Sequence, residues 1–238
     1  MAGNVRFSSG LCEHRHADTE RARETAGSQS PFAIVLSCAD SRVPVELVFD
    51  RGIGDIFTVR VAGNTSGPFQ AGSIEYAVEH LGSSLLVVLG HSSCGAVKAA
   101  SAGGDAPGNI GAILAPIVPA AEETRRNHPD ASEAELVRLA IRANVMRSIS
   151  DLLRSSPTIA RGAENGTLRI VGAVYNLESG TVEWLGGHPN ETEIIAKARD
   201  GAALAGSSKP HATGSTSTQT QSKPSGRNET HARVGNGH

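Results

Sequence analysis

Read from either end, residues 56–90, IFTVRVAGNTSGPFQAGSIEYAVEHLGSSLLVVLG, spell strand, helix, strand. IFTVRV (56–61) and SLLVVLG (84–90) are short apolar runs of the kind that form buried strands. Between them Ile74, Ala77, Val78 and Leu81 recur at helical spacing, and Gly82 stands where a helix C-cap would. That is a βαβ unit. AIVLSC (33–38), just after Pro31, reads as another buried strand. Ser132 and Glu135 stand in capping-box spacing and open a long amphipathic helix over 132–154. TLRIVGAVYN (167–176) and TVEWLGG (181–187) add a fourth strand and a hairpin partner. The predicted class is α/β, with a mostly parallel central sheet of four strands plus an edge strand, flanked by helices, and an N-terminal helical arm.

Composition agrees and excludes some functions. The 238 residues carry 22 Lys plus Arg against 24 Asp plus Glu, a formal net charge of -2, so there is no electrostatic footprint for nucleic acid or an anionic membrane. No apolar run reaches the roughly 18 residues of a membrane span, and no secretory leader is read at the start. Hydrophobic residues make up 39% and aromatics 3%, so the core must be aliphatic, as in helix-covered parallel sheets. Three cysteines, an odd number, predict a reducing, cytoplasmic setting with thiols buried, catalytic or metal-bound. Residues 1–30 are polar and read as an arm, solvated or lying on a neighbour; 31–206 form one folded domain. Residues 207–238, rich in Ser, Thr, Gly and Gln, bury too little to offset ordering and read as a disordered tail.

Reactive residues concentrate in two short segments, each at the end of a strand: Cys38-Ala39-Asp40-Ser41-Arg42 and His91-Ser92-Ser93-Cys94-Gly95. In open α/β sheets ligands bind at that edge. Cys38 taken singly is a small buried apolar residue, and His91 with Cys94 is equally compatible with structure or metal. Together, Cys, His and Cys at the ends of two adjacent strands supply the three protein ligands of an open catalytic zinc site. Two thiolates cancel the metal's charge, so bound water should be acidified less than at a site of three neutral imidazoles, and activity should favour mildly alkaline conditions. Asp40 can become a fourth ligand or orient a nucleophile on the metal, and a bidentate Arg42 favours the second role. Gly95 and the helix starting near Ala96 would aim N–H groups at the Cys94 sulfur.

CADSR (38–42), GDIFTVRVAGN (54–64) and GHSSCGAVKA (90–99) resemble the signature regions of the β-class carbonic anhydrases, over about Gly3 to Leu185. The resemblance implies Zn2+ on Cys38, His91 and Cys94, with Asp40 and Arg42 as the dyad that orients zinc hydroxide for attack on CO2. It also implies a narrow substrate pocket of Gln29, Phe57, Ala62, Tyr76 and Gly95, with Phe57 and Tyr76 coming from the facing subunit of a homodimer or higher homo-oligomer. The partners implied are CO2 and bicarbonate. Ala39 replaces the usual Ser. Val35 and Ser37 stand where the bicarbonate-regulated branch carries Trp and Gly, which favours the open form of the site.

Other motifs in the chain fit less well. GHSSC suggests a nucleophile elbow at Ser92, but Cys94 occupies the place of the second glycine. Gly52 and Gly54 make half a dinucleotide fingerprint, with Phe57 in place of its third glycine. Cys12, His14 and His16 lie on a polar arm with nothing to orient them as ligands. His80 is a weak proton-shuttle candidate. On the same fold, hydrolysis of CS2 or COS and a non-catalytic zinc-stapled scaffold are the alternatives.

Overall fold

The computed structural model describes residues 1–207, with side chains to residue 200; the tail expected over 207–238 lies, beyond Ser207, outside the described residues. The strands are β1 (Ala33–Ser37), β2 (Ile56–Arg60), β3 (Leu85–His91), β4 (Arg169–Tyr175) and β5 (Val182–Gly186). The helices are α1 (Ala2–Ser8), α2 (Thr19–Glu24), α3 (Val45–Val48), α4 (Pro68–Glu79), α5 (Gly95–Ala102), α6 (Ile110–Leu114), α7 (Val118–Asn127), α8 (Glu133–Ser155), α9 (Pro157–Glu164) and α10 (Glu191–Ser207), with a 3-10 turn at Ala62–Asn64. The sheet order is β2-β1-β3-β4-β5. The first four strands are parallel and β5 runs antiparallel to β4, as the sequence predicts.

Every residue of β1 is buried, which requires cover on both faces. Strand alternation sends Ile34 and Leu36 to one face, where Leu86, Val88 and Ile170 join them beneath Ile74 of α4, Val145 and Ile149 of α8 and Ile159 of α9. Val35 faces the other way and packs with Val87, Leu89, Val171 and Ala173 against Val45 and Val48 of α3. The βαβ unit of residues 56–90 is present, but β1 lies between β2 and β3, so the α4 crossover spans the width of one strand. Pro68 opens α4, which stops at Glu79 before the chain reverses at Gly82, φ 68°. Only half the capping box forms: Ser132 Oγ accepts the Glu135 N–H at 3.3 Å, while the Glu135 carboxylate turns to Arg138.

The N-terminal arm is tied to its own chain. The Asn4 amide donates to the carbonyls of Val48 at 3.1 Å and Gly180 at 2.9 Å, and its oxygen accepts the Val182 N–H at 2.8 Å. Asp50, in the left-handed region at φ 47°, accepts from Arg6 and from the backbone N–H groups of Glu13 and His14. The Asp50 carboxyl is held down to about 2, first by its hydrogen bond with Arg6, against the upward push of burial.

Two glycines let α8 lie close on the sheet. A Cβ on Gly172 would stand 2.8 Å from Val145 Cγ1, and one on Gly90 would stand 2.7 Å from Val145 Cγ2. In an open strand Gly→Ala stabilises by roughly 0.5–1 kcal/mol. Overpacking reverses the sign, so Gly172→Ala should cost about 1–3 kcal/mol in urea unfolding, and a neutral or stabilising result would contradict this packing. A depressed carboxyl contributes stability that is complete above its unfolded pKa of about 3.9 and is lost as pH falls through its folded value. Amide exchange at Glu13 and His14 should therefore lose protection as the pH falls toward about 2 in the native protein, and already at neutral pH in Asp50→Asn. Equal neutral-pH protection in the two proteins would contradict the clamp.

Candidate metal centre

Cys38 follows β1 directly and His91 ends β3. Because β1 and β3 are adjacent, parallel and in a register that sets Ser37 opposite Leu89, both side chains emerge at the same sheet edge. A tight turn through Ser93, φ 56°, then delivers Cys94 as the N-cap residue of α5. The three potential ligand atoms lie within 4.8 Å of one another, all on buried residues, and form the one such group of three found among the described residues.

The His91 ring shows which atom is available. Nδ1 lies 2.9 Å from the Ser92 carbonyl and donates to it, leaving the lone pair on Nε2. Nε2 is buried and has no hydrogen-bond partner among the described residues. Such atoms are rare in folded proteins. An imidazole nitrogen beside two thiol sulfurs is a borderline-soft donor set that fits zinc, with one tetrahedral position left for a small molecule.

The surroundings orient the sulfurs. Cys38 Sγ accepts N–H bonds from Gly63 at 3.2 Å and Asp40 at 3.4 Å. The Cys38 thiol is pulled down, first by the neighbouring Cys94 thiol, against the effect of burial, and then by His91 and these backbone donors. Cys94 moves the other way, first through its neighbour Cys38 and then through burial; the N–H groups of Val97 and Ala96, at the start of α5, oppose the shift. The two thiols thus titrate as one unit.

Asp40 and Arg42 form a two-pronged pair, with Arg42 Nε 3.0 Å from Oδ1 and Nη2 2.8 Å from Oδ2; the Arg42 backbone N–H adds a third bond to Oδ1 at 3.0 Å. Arg42 holds the Asp40 carboxyl well below the ordinary carboxylate range. Asp40 Oδ2 faces the orphaned His91 Nε2 at 3.8 Å. Arg60 braces the loop, donating to the carbonyls of Cys38 at 3.1 Å and Asp40 at 2.7 Å.

The pocket residues named from the sequence fall into two groups. Ala62 opens the turn beside Gly63, and Gly95 follows Cys94, so both border the donor cluster. Phe57 stands opposite Ile34, about 13 Å along the strand from Cys38. Its ring pairs with that of Tyr76 at 6.4 Å, and Tyr76 is half exposed. Gln29 is exposed in the loop before β1.

The discarded motifs have structural occupations. Ser92 Oγ accepts the Leu177 N–H at 2.9 Å, His16 pairs with Asp55 at 2.8 Å, and Gly52 packs under the backbone of Arg15 and His16. His80 is exposed at the end of α4, its ring 5.0 Å from that of Tyr76. Sequence reading missed Arg60 and Gly63 as supports of the site. The Gly63-Asn64 pair after a strand was the available signal, since both residues take positive φ.

Comparison with known proteins agrees with this geometry. Residues 33–182 match the carbonic anhydrase family profile. A carbonic anhydrase of Mycolicibacterium smegmatis is 39% identical over 188 residues, covering 76% of this chain and 87% of the relative. One from Pseudomonas aeruginosa is 35% identical over 199 residues, covering 80% and 89%. The crystal structure of the β-carbonic anhydrase CafA of Aspergillus fumigatus superposes with a TM-score of 0.69 at 25% identity, covering 84% of this chain and 95% of that one. A tetrameric β-carbonic anhydrase of Sordaria macrospora gives a TM-score of 0.63 at 27% identity, covering 78% and 94%. Sequence, sheet order and the donor cluster together lead to one conclusion: this chain belongs to the β class of the carbonic anhydrase family.

Proposed function

We propose that the protein is a zinc enzyme catalysing CO2 + H2O ⇌ HCO3⁻ + H⁺, with Cys38, His91 and Cys94 holding the metal. The observation that carries this reading is the unpartnered His91 Nε2, within 4.8 Å of two sulfurs and facing an Arg-clamped carboxylate. When bound, zinc supplies a Lewis acid that makes water a nucleophile near neutral pH.

The chain's own residues do the positioning. Asp40, kept ionised by Arg42, accepts a hydrogen bond from the attacking water and so fixes the direction of its lone pair toward carbon. Arg42 occupies both carboxylate oxygens and holds Asp40 away from the role of a fourth ligand. A structural zinc site would need that fourth protein ligand, so the clamp argues against a scaffold.

Gln29, Phe57, Ala62, Tyr76 and Gly95 line a small apolar pocket suited to an uncharged linear substrate, with Phe57 and Tyr76 supplied by a second copy. The separation of Phe57 from the donors within one chain and the exposure of Tyr76, Phe69 and Leu47 support a homodimer or larger oligomer. The tetramer of the Sordaria macrospora relative agrees with that assembly. No helix among the described residues is long and apolar enough to cross a membrane, and a reducing cytoplasm suits three free thiols. The catalytic domain spans 31–206, with 1–30 as its arm.

Stopped-flow CO2 hydration on protein of measured zinc content tests this, with COS hydrolysis run in parallel. Turnover of CO2 well above that of COS is expected; background rates from fully zinc-loaded protein across about pH 7 to 9 would overturn the assignment. Asp40→Asn should keep its zinc and lose about 10²–10⁴-fold in kcat/KM, whereas loss of zinc together with activity would mark Asp40 as a ligand. Cys38→Ser should lose the metal and Arg42→Ala should retain it while Asp40 closes the site; equal zinc retention in the two would contradict these roles.

A further inference from the structure

A backbone N–H is a fixed donor only when the residue carrying it is itself held. Gly63 has φ 76° and ψ 16°, and Asn64 after it also has positive φ, 45°. The positive φ of Gly63 favours glycine, and a Cβ there would stand 2.5 Å from Ile117 Cδ1, which would have to move. The Gly63 N–H donates to Cys38 Sγ at 3.2 Å. The Gly63 carbonyl accepts from Asn144 Nδ2 at 2.7 Å, across 81 residues of sequence.

Asn144 is out of place on hydrophobic grounds. It lies on the buried stripe of α8 between Ile141 and Val145, with 1% of its surface exposed. Its Oδ1 is buried without a partner, as is Nδ2 of the neighbouring Asn64. An apolar side chain of similar size would remove the orphaned oxygen but leave the buried Gly63 carbonyl without its donor. The one group the Asn144 amide holds is the residue that donates to a metal-ligand sulfur.

We propose that Asn144 is a positioning residue for the metal centre: by gripping the Gly63 carbonyl from α8, it keeps the Gly63 N–H on Cys38 Sγ and orients that sulfur toward the metal. This rests on the reading of Cys38 as a zinc ligand. It adds a polar tie between the helical layer and the donor loop, 106 residues after Cys38 in the chain.

The test uses the full-length protein and two readouts independent of turnover. One is zinc affinity by competition with a chromophoric chelator. The other is NMR coupling between bound cadmium and the Gly63 amide proton, transmitted through the N–H···S bond. Asn144→Leu should bind zinc about 10- to 100-fold more weakly, more than any fall in its melting temperature accounts for, the usual loss when a group behind a ligand is removed, and the coupling should disappear. Asn144→Ala, smaller and free of clashes, should give the same two losses if the leucine variant fails to fold. Native zinc affinity with retained coupling in a folded variant would overturn the proposal. So would an affinity that falls only in step with the melting temperature while the coupling persists, because Asn144 would then be a packing residue. Absence of the coupling in the native cadmium protein would also overturn it. Native protein that takes up no zinc at all would instead sink the metal assignment on which the proposal stands.

Discussion

The centre depends on the parallel pairing of β1 with β3. Their register, Ser37 against Leu89, ends both strands at one edge and brings Cys38 and His91 together across 53 residues of sequence. The burial of both strands, by helices on either face, makes that register stiff, since a one-residue slip would turn Ile34 and Leu36 to the wrong side of the sheet. Cys94 then needs only a short turn to complete the set. A buried ring nitrogen left without a hydrogen-bond partner among the described residues is costly unless something binds it, and the aliphatic sheet core supplies the stability that permits it.

Charge is distributed around the centre with a division of labour. Backbone N–H groups from Gly63, Asp40 and the start of α5 face the sulfurs, where negative charge gathers. Arg42 neutralises Asp40, and Arg60 neutralises nothing but ties two loop carbonyls in place. Asp40 is thereby held ionised and oriented. The same three residues, Cys38, Asp40 and Arg42, would form an ordinary surface turn without the ring nitrogen of His91 facing them.

Most of the architecture was legible in the sequence because it rests on local patterns. The apolar runs at 33–38, 56–61, 84–90 and 167–176 gave the four parallel strands, and the hairpin gave β5. What local pattern could not give was the placement of β1 between β2 and β3, which depends on pairing and not on any segment's own preference. The Cys38, His91 and Cys94 cluster was legible because CADSR and HSSC are compact and stand at strand ends. The supports were not. Asn144 touches Gly63 across 81 residues, and its only trace in the sequence is a polar side chain on an apolar helical stripe. Glu135 was read as half of a capping box, yet its carboxylate goes to Arg138, because a charged guanidinium outcompetes a backbone N–H. The N-terminal arm, read as solvated or lying on a neighbour, is held through Asn4 and Asp50 to its own chain.

X-ray absorption at the zinc edge, on protein loaded with one metal per chain, tests the central claim most directly. The account predicts a first shell of two sulfurs at about 2.3 Å and two lighter atoms at about 2.0 Å. A shell with fewer than two sulfurs, or a protein that retains no zinc after loading, would contradict it.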